Sequence, residues 1–194
     1  MDLCVPHDCY CGSLVDARGL HSFVCKKAPG PTARHRALNV LVARGFALAG
    51  IPVTTEPPGL FRSDGKRADG LSLVPWLNGK SLCWDVTVIC PLAESYANGA
   101  AREAGAVAEI AASRKEAKFA DIYSRFVFEP IAVETLGVLS SSACLLLSDL
   151  GRRITNISGE ARELSFLFQR VSVLVQLFNA ILLHDCLPAA DRTG

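Results

Sequence analysis

Six potential metal ligands crowd the first 25 residues of this 194-residue chain: Cys4, His7, Cys9, Cys11, His21 and Cys25. The same stretch is short of aliphatic periodicity, so it cannot bury a core of its own and needs another stabilising element. Cys9, Cys11, His21 and Cys25 supply three thiols and an imidazole, a set that satisfies tetrahedral zinc. The single residue between Cys9 and Cys11 is a tighter gap than usual, and Cys4 or His7 could replace Cys9 in the shell. Cys83, Cys90, Cys144 and Cys186 are scattered among apolar neighbours and read as core. The amino terminus lacks the basic segment and apolar run of a secretory signal, an expectation of a reducing, intracellular setting in which thiols stay free.

The Pro-Gly-Pro sequence at 29–31 predicts a boundary after this module. The expected organisation is a Cys/His zinc-binding module at 1–31, a core at 32–140 and a helical extension at 141–194. Leu38, Val40, Leu41 and Phe46 recur with helical spacing among polar residues until Gly50 and Pro52 stop the pattern. Extended candidates follow at 60–63, 68–76 and 81–90, the last two flanking Asn78-Gly79, a strong hairpin signal. The Ala-rich, proline-free stretch 97–125 predicts one long helix. A strand over 126–133 contains Pro130, which argues for an edge or a bulge. Helices are expected at 141–154 and 159–187. The order is helix, three strands, helix, strand, then a helical tail, an α/β class.

Charge narrows the function. With 20 Lys+Arg against 19 Asp+Glu the net charge is +1, so any nucleic-acid surface must be local rather than a property of the whole chain. The most apolar stretch, 164–183, is interrupted by Gln169, Arg170, Gln176 and Asn179, and the chain reads as soluble, with no membrane partner. That stretch is still apolar on more faces than a surface helix needs, which fits an oligomerisation or adaptor module.

Two carboxylates stand out. Asp69 precedes Gly70 on one hairpin arm, and Asp85 lies among Leu82, Val86, Val88 and Ile89 on the other, where burial without a partner is costly. Converging from neighbouring strands, they would make a hard-oxygen site for Mg²⁺. In the alternative reading Asp69 is a turn residue and Asp85 pairs with Arg67 or Lys66. An ideal two-residue turn sets Asp85 opposite Ser72 and turns Asp69 to the other face, so the metal site requires a bulge, which Pro75 can supply. On the following helix Lys115 and Lys118 share a face with Phe119 and Tyr123 nearby. A lysine there could stabilise charge on a phosphoryl transition state, or it could belong to a solvated Lys/Glu face. Glu109 and Glu134 read as satisfied surface or edge charges. Lys26, Lys27, Arg34 and Arg36 form one basic cluster and Arg62, Lys66 and Arg67 another, as suits a protein that meets phosphates through one face.

These residues have a familiar order: Cys9-x-Cys11-Gly12, Gly19-Leu-His21-x-x-x-Cys25, Arg34-His35 with Asn39, Glu56-Pro57-x-Gly59-Leu60, Asp64 through Asp69-Gly70, Trp84-Asp85-Val-Thr-Val88, and Lys115-x-x-Lys118-Phe119. Over nearly its whole length the chain resembles the restriction-like endonuclease region of early-branching non-LTR retrotransposons and related transposon-derived reading frames, a branch of the PD-(D/E)xK superfamily. The resemblance implies a PD-(D/E)xK-like core with an N-terminal zinc knuckle, and a metal-dependent DNA endonuclease that nicks target sites for retrotransposition. Asp69 and Asp85 would bind Mg²⁺ or Mn²⁺, Lys115 or Lys118 would be the basic partner, and Arg34, His35, Arg36 and Arg67 would sit at the DNA. The expected setting is nuclear, alone, as a homo-oligomer or beside other parts of a retrotransposon polyprotein. Ala68 stands where the family has proline, Thr87 where it has the lysine of the acid-x-Lys pattern, and Phe119 where it has tyrosine. The first two changes also fit a zinc-containing, nucleic-acid-binding remnant that no longer cleaves.

Overall fold

A computed structural model of the chain describes residues 4–25, 27–58, 60 and 67–187. Among them the fold is mixed α/β, with six helices and a mixed four-stranded sheet. The Cys/His stretch forms a small antiparallel pair, β1 (His7–Asp8) and β2 (Leu14–Val15), followed by the short helix α1 (Leu20–Val24). Helix α2 (Gly30–Leu48) starts with Pro31 in its first turn, where a missing N–H costs nothing, and ends before Gly50. Leu38, Val42 and Phe46, four residues apart, form its buried ridge.

The sheet runs β3 (Val53–Thr55), β4 (Gly70–Leu77), β5 (Lys80–Ile89) and β6 (Val127–Glu134) in that spatial order. The first three strands are antiparallel. Strand β6 is parallel to β5, and the crossover this needs runs through α3 (Glu94–Ala100) and α4 (Ala106–Lys118). The expected order of helix, three strands, helix, strand is therefore present, with two differences. The first strand is at Val53–Thr55, whereas Leu60 lies outside any strand and 61–63 fall outside the described residues. The expected long helix at 97–125 is interrupted: α3 ends at Ala100, a turn over 101–105 follows, Gly105 at φ 87° precedes α4, and a 3₁₀ turn at Ala120–Ile122 comes after it. Pro130 sits in an unbroken β6 on the edge of the sheet.

Asn78 (φ 51°) and Gly79 (φ 74°) make the two-residue turn between β4 and β5, with Leu77 opposite Lys80. The pairing then slips by one residue on the way to Pro75–Ser81 and by two more on the way to Leu71–Cys83. Pro75 has no N–H for the ladder. Ser72 patches the gap: its hydroxyl accepts from Leu82 N at 2.9 Å and donates to the Val74 carbonyl at 2.7 Å. An odd total slip exchanges the faces of the strand, and this one sets Gly70 opposite Trp84, so Asp69 comes level with Asp85.

Helices α5 (Ser141–Ser158) and α6 (Glu163–Cys186) pack on α2 and the sheet. Leu38, Phe46, Trp84, Ile131, Leu147, Leu150, Leu167 and Val175 belong to one core, so the C-terminal helices are integral to the fold rather than appended to it. By length and composition α6 is apolar enough to cross a bilayer, although one of its faces lies in this core. Its last turns carry the Cys/His module: Leu182 and Cys186 pack with Cys9, Val15, Cys25 and Ala28.

Candidate metal centre and carboxylate cluster

The ligand atoms of Cys9, Cys11, His21 and Cys25 all lie within 4.8 Å of one another, and this set could hold a metal ion such as zinc. A Zn–S length of about 2.3 Å puts tetrahedral sulfurs about 3.8 Å apart. Cys9 Sγ and Cys25 Sγ are separated by 3.8 Å, and Cys11 Sγ is 3.1 Å from His21 Nε2. The short gap between Cys9 and Cys11 works because the chain reverses there: Gly12 N bonds the Cys9 carbonyl at 2.8 Å, and Cys9 N the Ser13 carbonyl at 2.9 Å. Burial pushes the Cys9 thiol up to about 12, while hydrogen bonds from Ser13, and then from Cys9 and His21, bring Cys11 down to about 6. The two rival ligands are engaged elsewhere. Cys4 Sγ donates to the Asp16 carbonyl at 3.3 Å, and His7 Nε2 bonds the carbonyl of Cys186 at the end of α6.

The second cluster is assembled by the slip in the hairpin. Asp69 enters β4, and its Oδ2 accepts from Val86 N at 2.6 Å. His35 Nε2 lies 3.0 Å from the same Oδ2 and 3.1 Å from the Val86 carbonyl. Both neighbours are acceptors, so Nε2 carries the proton. The bond to Asp69 raises the His35 pKa, against an opposing effect of burial. Asp85, 4% exposed, forms an ion pair through Oδ2 with Lys115 of α4, and that oxygen makes no well-aligned hydrogen bond. Burial raises the Asp85 pKa, Lys115 opposes it, and the Asp69 charge raises it further. This carboxylate is under-compensated. A second cation between Asp69 and Asp85 would relieve it.

Asn39 holds the cluster from behind. Its Nδ2 donates to the Asp69 carbonyl at 3.2 Å and its Oδ1 accepts from Trp84 Nε1 at 2.9 Å. The Trp84 ring stacks on Phe46 with centroids 4.7 Å apart and crosses Gly70, where any Cβ would stand 1.9 Å from the indole. Glu56, with a left-handed φ of 49°, donates its N–H to the Asp69 carbonyl at 2.9 Å.

Several expected roles are placed differently. Arg34, expected at DNA, is 3% exposed; its Nη1 reaches Asn179 of α6 at 3.4 Å and its Nε has no partner. It lies one helical turn before Leu38, on the ridge that faces the core, so it cannot meet phosphate. His35, also expected at DNA, bonds Asp69 while its side chain stays 40% exposed. Lys118 is exposed, and Lys115 alone of the two lysines is paired with Asp85. Arg36 and Arg67 are exposed, Arg67 beside Glu56 at 3.6 Å. Arg62 and Lys66 fall outside the described residues. Glu134 and Glu109 cap helices: Glu134 accepts from Ala108 N at the start of α4 (3.2 Å), and Glu109 from Ser141 N at the start of α5 (2.5 Å).

His35 and Asn39 are site residues whose roles were not read from the sequence. Their spacing of four on α2 was the available signal, since it puts them on one ridge distinct from that of Leu38 and Val42. Compared with protein-family models and with curated proteins, the chain matches none.

Proposed function

We propose that the chain is a metal-dependent DNA endonuclease in which α2, β3, β4, β5, α4 and β6 form a PD-(D/E)xK-like core and the Cys/His module binds zinc. The observation that carries this reading is the convergence of Asp69, Asp85 and Lys115 from two strands and a helix. Asp69 and Asp85 would hold Mg²⁺ or Mn²⁺. Such an ion, when bound, acidifies water and polarises the scissile phosphate. His35 and Asn39 keep Asp69 oriented, one through the carboxylate and the other through the backbone. Lys115, paired with Asp85, would be the group that stabilises the charge growing as the P–O bond breaks. Exposed basic residues, Arg67 beside the site and Lys27 beside the zinc module, would meet the DNA backbone. Nicking of this kind would serve target-site opening by a retrotransposon in the nucleus.

A second reading, a binding remnant without cleavage, is favoured by one observation: Thr87 occupies the strand position of the usual lysine. Incubation of supercoiled plasmid with zinc-loaded protein and Mg²⁺ or Mn²⁺ separates the two. Nicking that vanishes in both Asp69→Asn and Asp85→Asn, with DNA binding retained, supports the endonuclease. DNA retardation with no nicking by the unaltered chain replaces it with the remnant.

A further inference from the structure

We propose that the groove between α2 and α6 binds an acidic amphipathic helix of a partner protein, independently of the carboxylate cluster. The groove is open and holds about 890 Å³. Its floor is aliphatic: Val40 and Leu48 of α2 face Val173 and Leu177 of α6, all four exposed large hydrophobics. Such a surface on two packed helices is costly in water and has the concave form that receives the ridge of a third helix.

The rim specifies the charge of the occupant. Arg36 and Arg44, two turns apart on α2, and Arg170 on α6 line the groove, and no carboxylate is among the lining residues. Helix α2 has no Asp or Glu at all, and α6 has none between Glu163 and Asp185. Arg36, Val40 and Arg44 form one i, i+4, i+8 ridge, so the two arginines bracket Val40 along the α2 side of the groove. A helix with Leu- or Phe-type anchors at i, i+3, i+4 and i+7 and Glu or Asp on its flanks complements both.

Other occupants fit less well. Single-stranded nucleic acid would find arginines but no aromatic platform for its bases, and a duplex backbone would meet the arginines while leaving Val40, Leu48, Val173 and Leu177 exposed. An anionic bilayer needs a protruding apolar face rather than a concave one. A second copy docked groove to groove would bring like charges together with no carboxylate to answer them.

The test uses zinc-loaded full chain and a phage-displayed library of helical peptides with fixed apolar anchors at that spacing and flanks randomised over Glu, Gln and Lys. Enrichment of Glu flanks is expected. Fluorescence anisotropy with the winning peptide should then show a loss of at least about tenfold in affinity for Arg36→Glu/Arg44→Glu and for Val173→Asp. All three sites are exposed, so the fold should be unchanged by circular dichroism, and Arg152→Glu on α5 should bind normally. Enrichment of Lys flanks, no enrichment, or binding insensitive to the groove substitutions overturns the proposal. So does flotation with phosphatidylserine vesicles, or a dimer by light scattering that Val173→Asp dissociates.

Discussion

Replacing Lys115 by methionine removes the ammonium next to Asp85 while keeping the length of the side chain. Asp85 is 4% exposed, and the Lys115 side chain is 22% exposed, so the pair is buried on the acid side and partly wet on the lysine side. Removing one partner of a buried pair costs about 3–5 kcal/mol. The partial exposure of Lys115 lowers this to about 2–3 kcal/mol at pH 8. Asp85 can escape the penalty by taking up a proton, which costs about 1.4 kcal/mol for each unit that pH exceeds its pKa. Burial already raises that pKa. A raised folded-state pKa gives a contribution to stability that is complete below the unfolded value, near 3.8, and lost as pH rises through the folded one. The deficit of Lys115→Met should therefore be smaller at pH 5 than at pH 8. Urea unfolding of the zinc-loaded, Mg²⁺-free protein at both pH values measures it, and Asp85→Asn/Lys115→Met should recover most of the loss. A deficit under about 0.5 kcal/mol at pH 8, or one that does not shrink on acidification, refutes the argument that Asp85 is an under-compensated buried charge.

Gly70→Ala drives a methyl into the Trp84 indole and should cost at least about 3 kcal/mol in urea unfolding, with a changed near-ultraviolet tryptophan signal; a loss below about 0.5 kcal/mol would show that the ring does not cross Gly70. Mass spectrometry under native conditions should find one zinc per chain, absent in Cys25→Ser, and removing it should expose amides around Cys186 to hydrogen exchange, because the module packs on that end of α6. His35 should titrate above its ordinary 6.5 by NMR and fall back in Asp69→Asn. Since that pKa is raised, the stability difference between the two proteins should be full below pH 6.5 and decline as pH rises through the folded value; a difference that grows with pH contradicts the His35–Asp69 bond.

Local chemistry was the legible part of the sequence. The Asn78-Gly79 turn, the two hairpin arms and the helix stopped by Gly50 follow from short-range signals, and so does the choice of Cys9, Cys11, His21 and Cys25 over a random loop. The position of Asp69 relative to Asp85 was legible only as a condition, a bulge near Pro75, because an odd slip depends on how Ser72 and Leu82 repair the ladder. The burial of Arg34 follows from its helix face and not from its charge: it shares a ridge with Leu38 and Val42, whereas Arg36 shares one with Val40 and Arg44. The alanines of 97–125 favour helix throughout, yet α3 stops at Ala100 and a turn over 101–105, closed by Gly105 at φ 87°, separates it from α4. The capping roles of Glu134 and Glu109 join helices to carboxylates on other elements, and no local pattern encodes them.

The most direct test of the account is Mn²⁺ binding to zinc-loaded protein, followed by electron paramagnetic resonance. One Mn²⁺ per chain should bind outside the zinc module, be displaced by Mg²⁺, be lost in Asp69→Asn and Asp85→Asn and be kept in Lys115→Met. Absence of Mn²⁺ binding, or binding that both aspartate variants retain, would contradict a divalent-cation centre at Asp69 and Asp85.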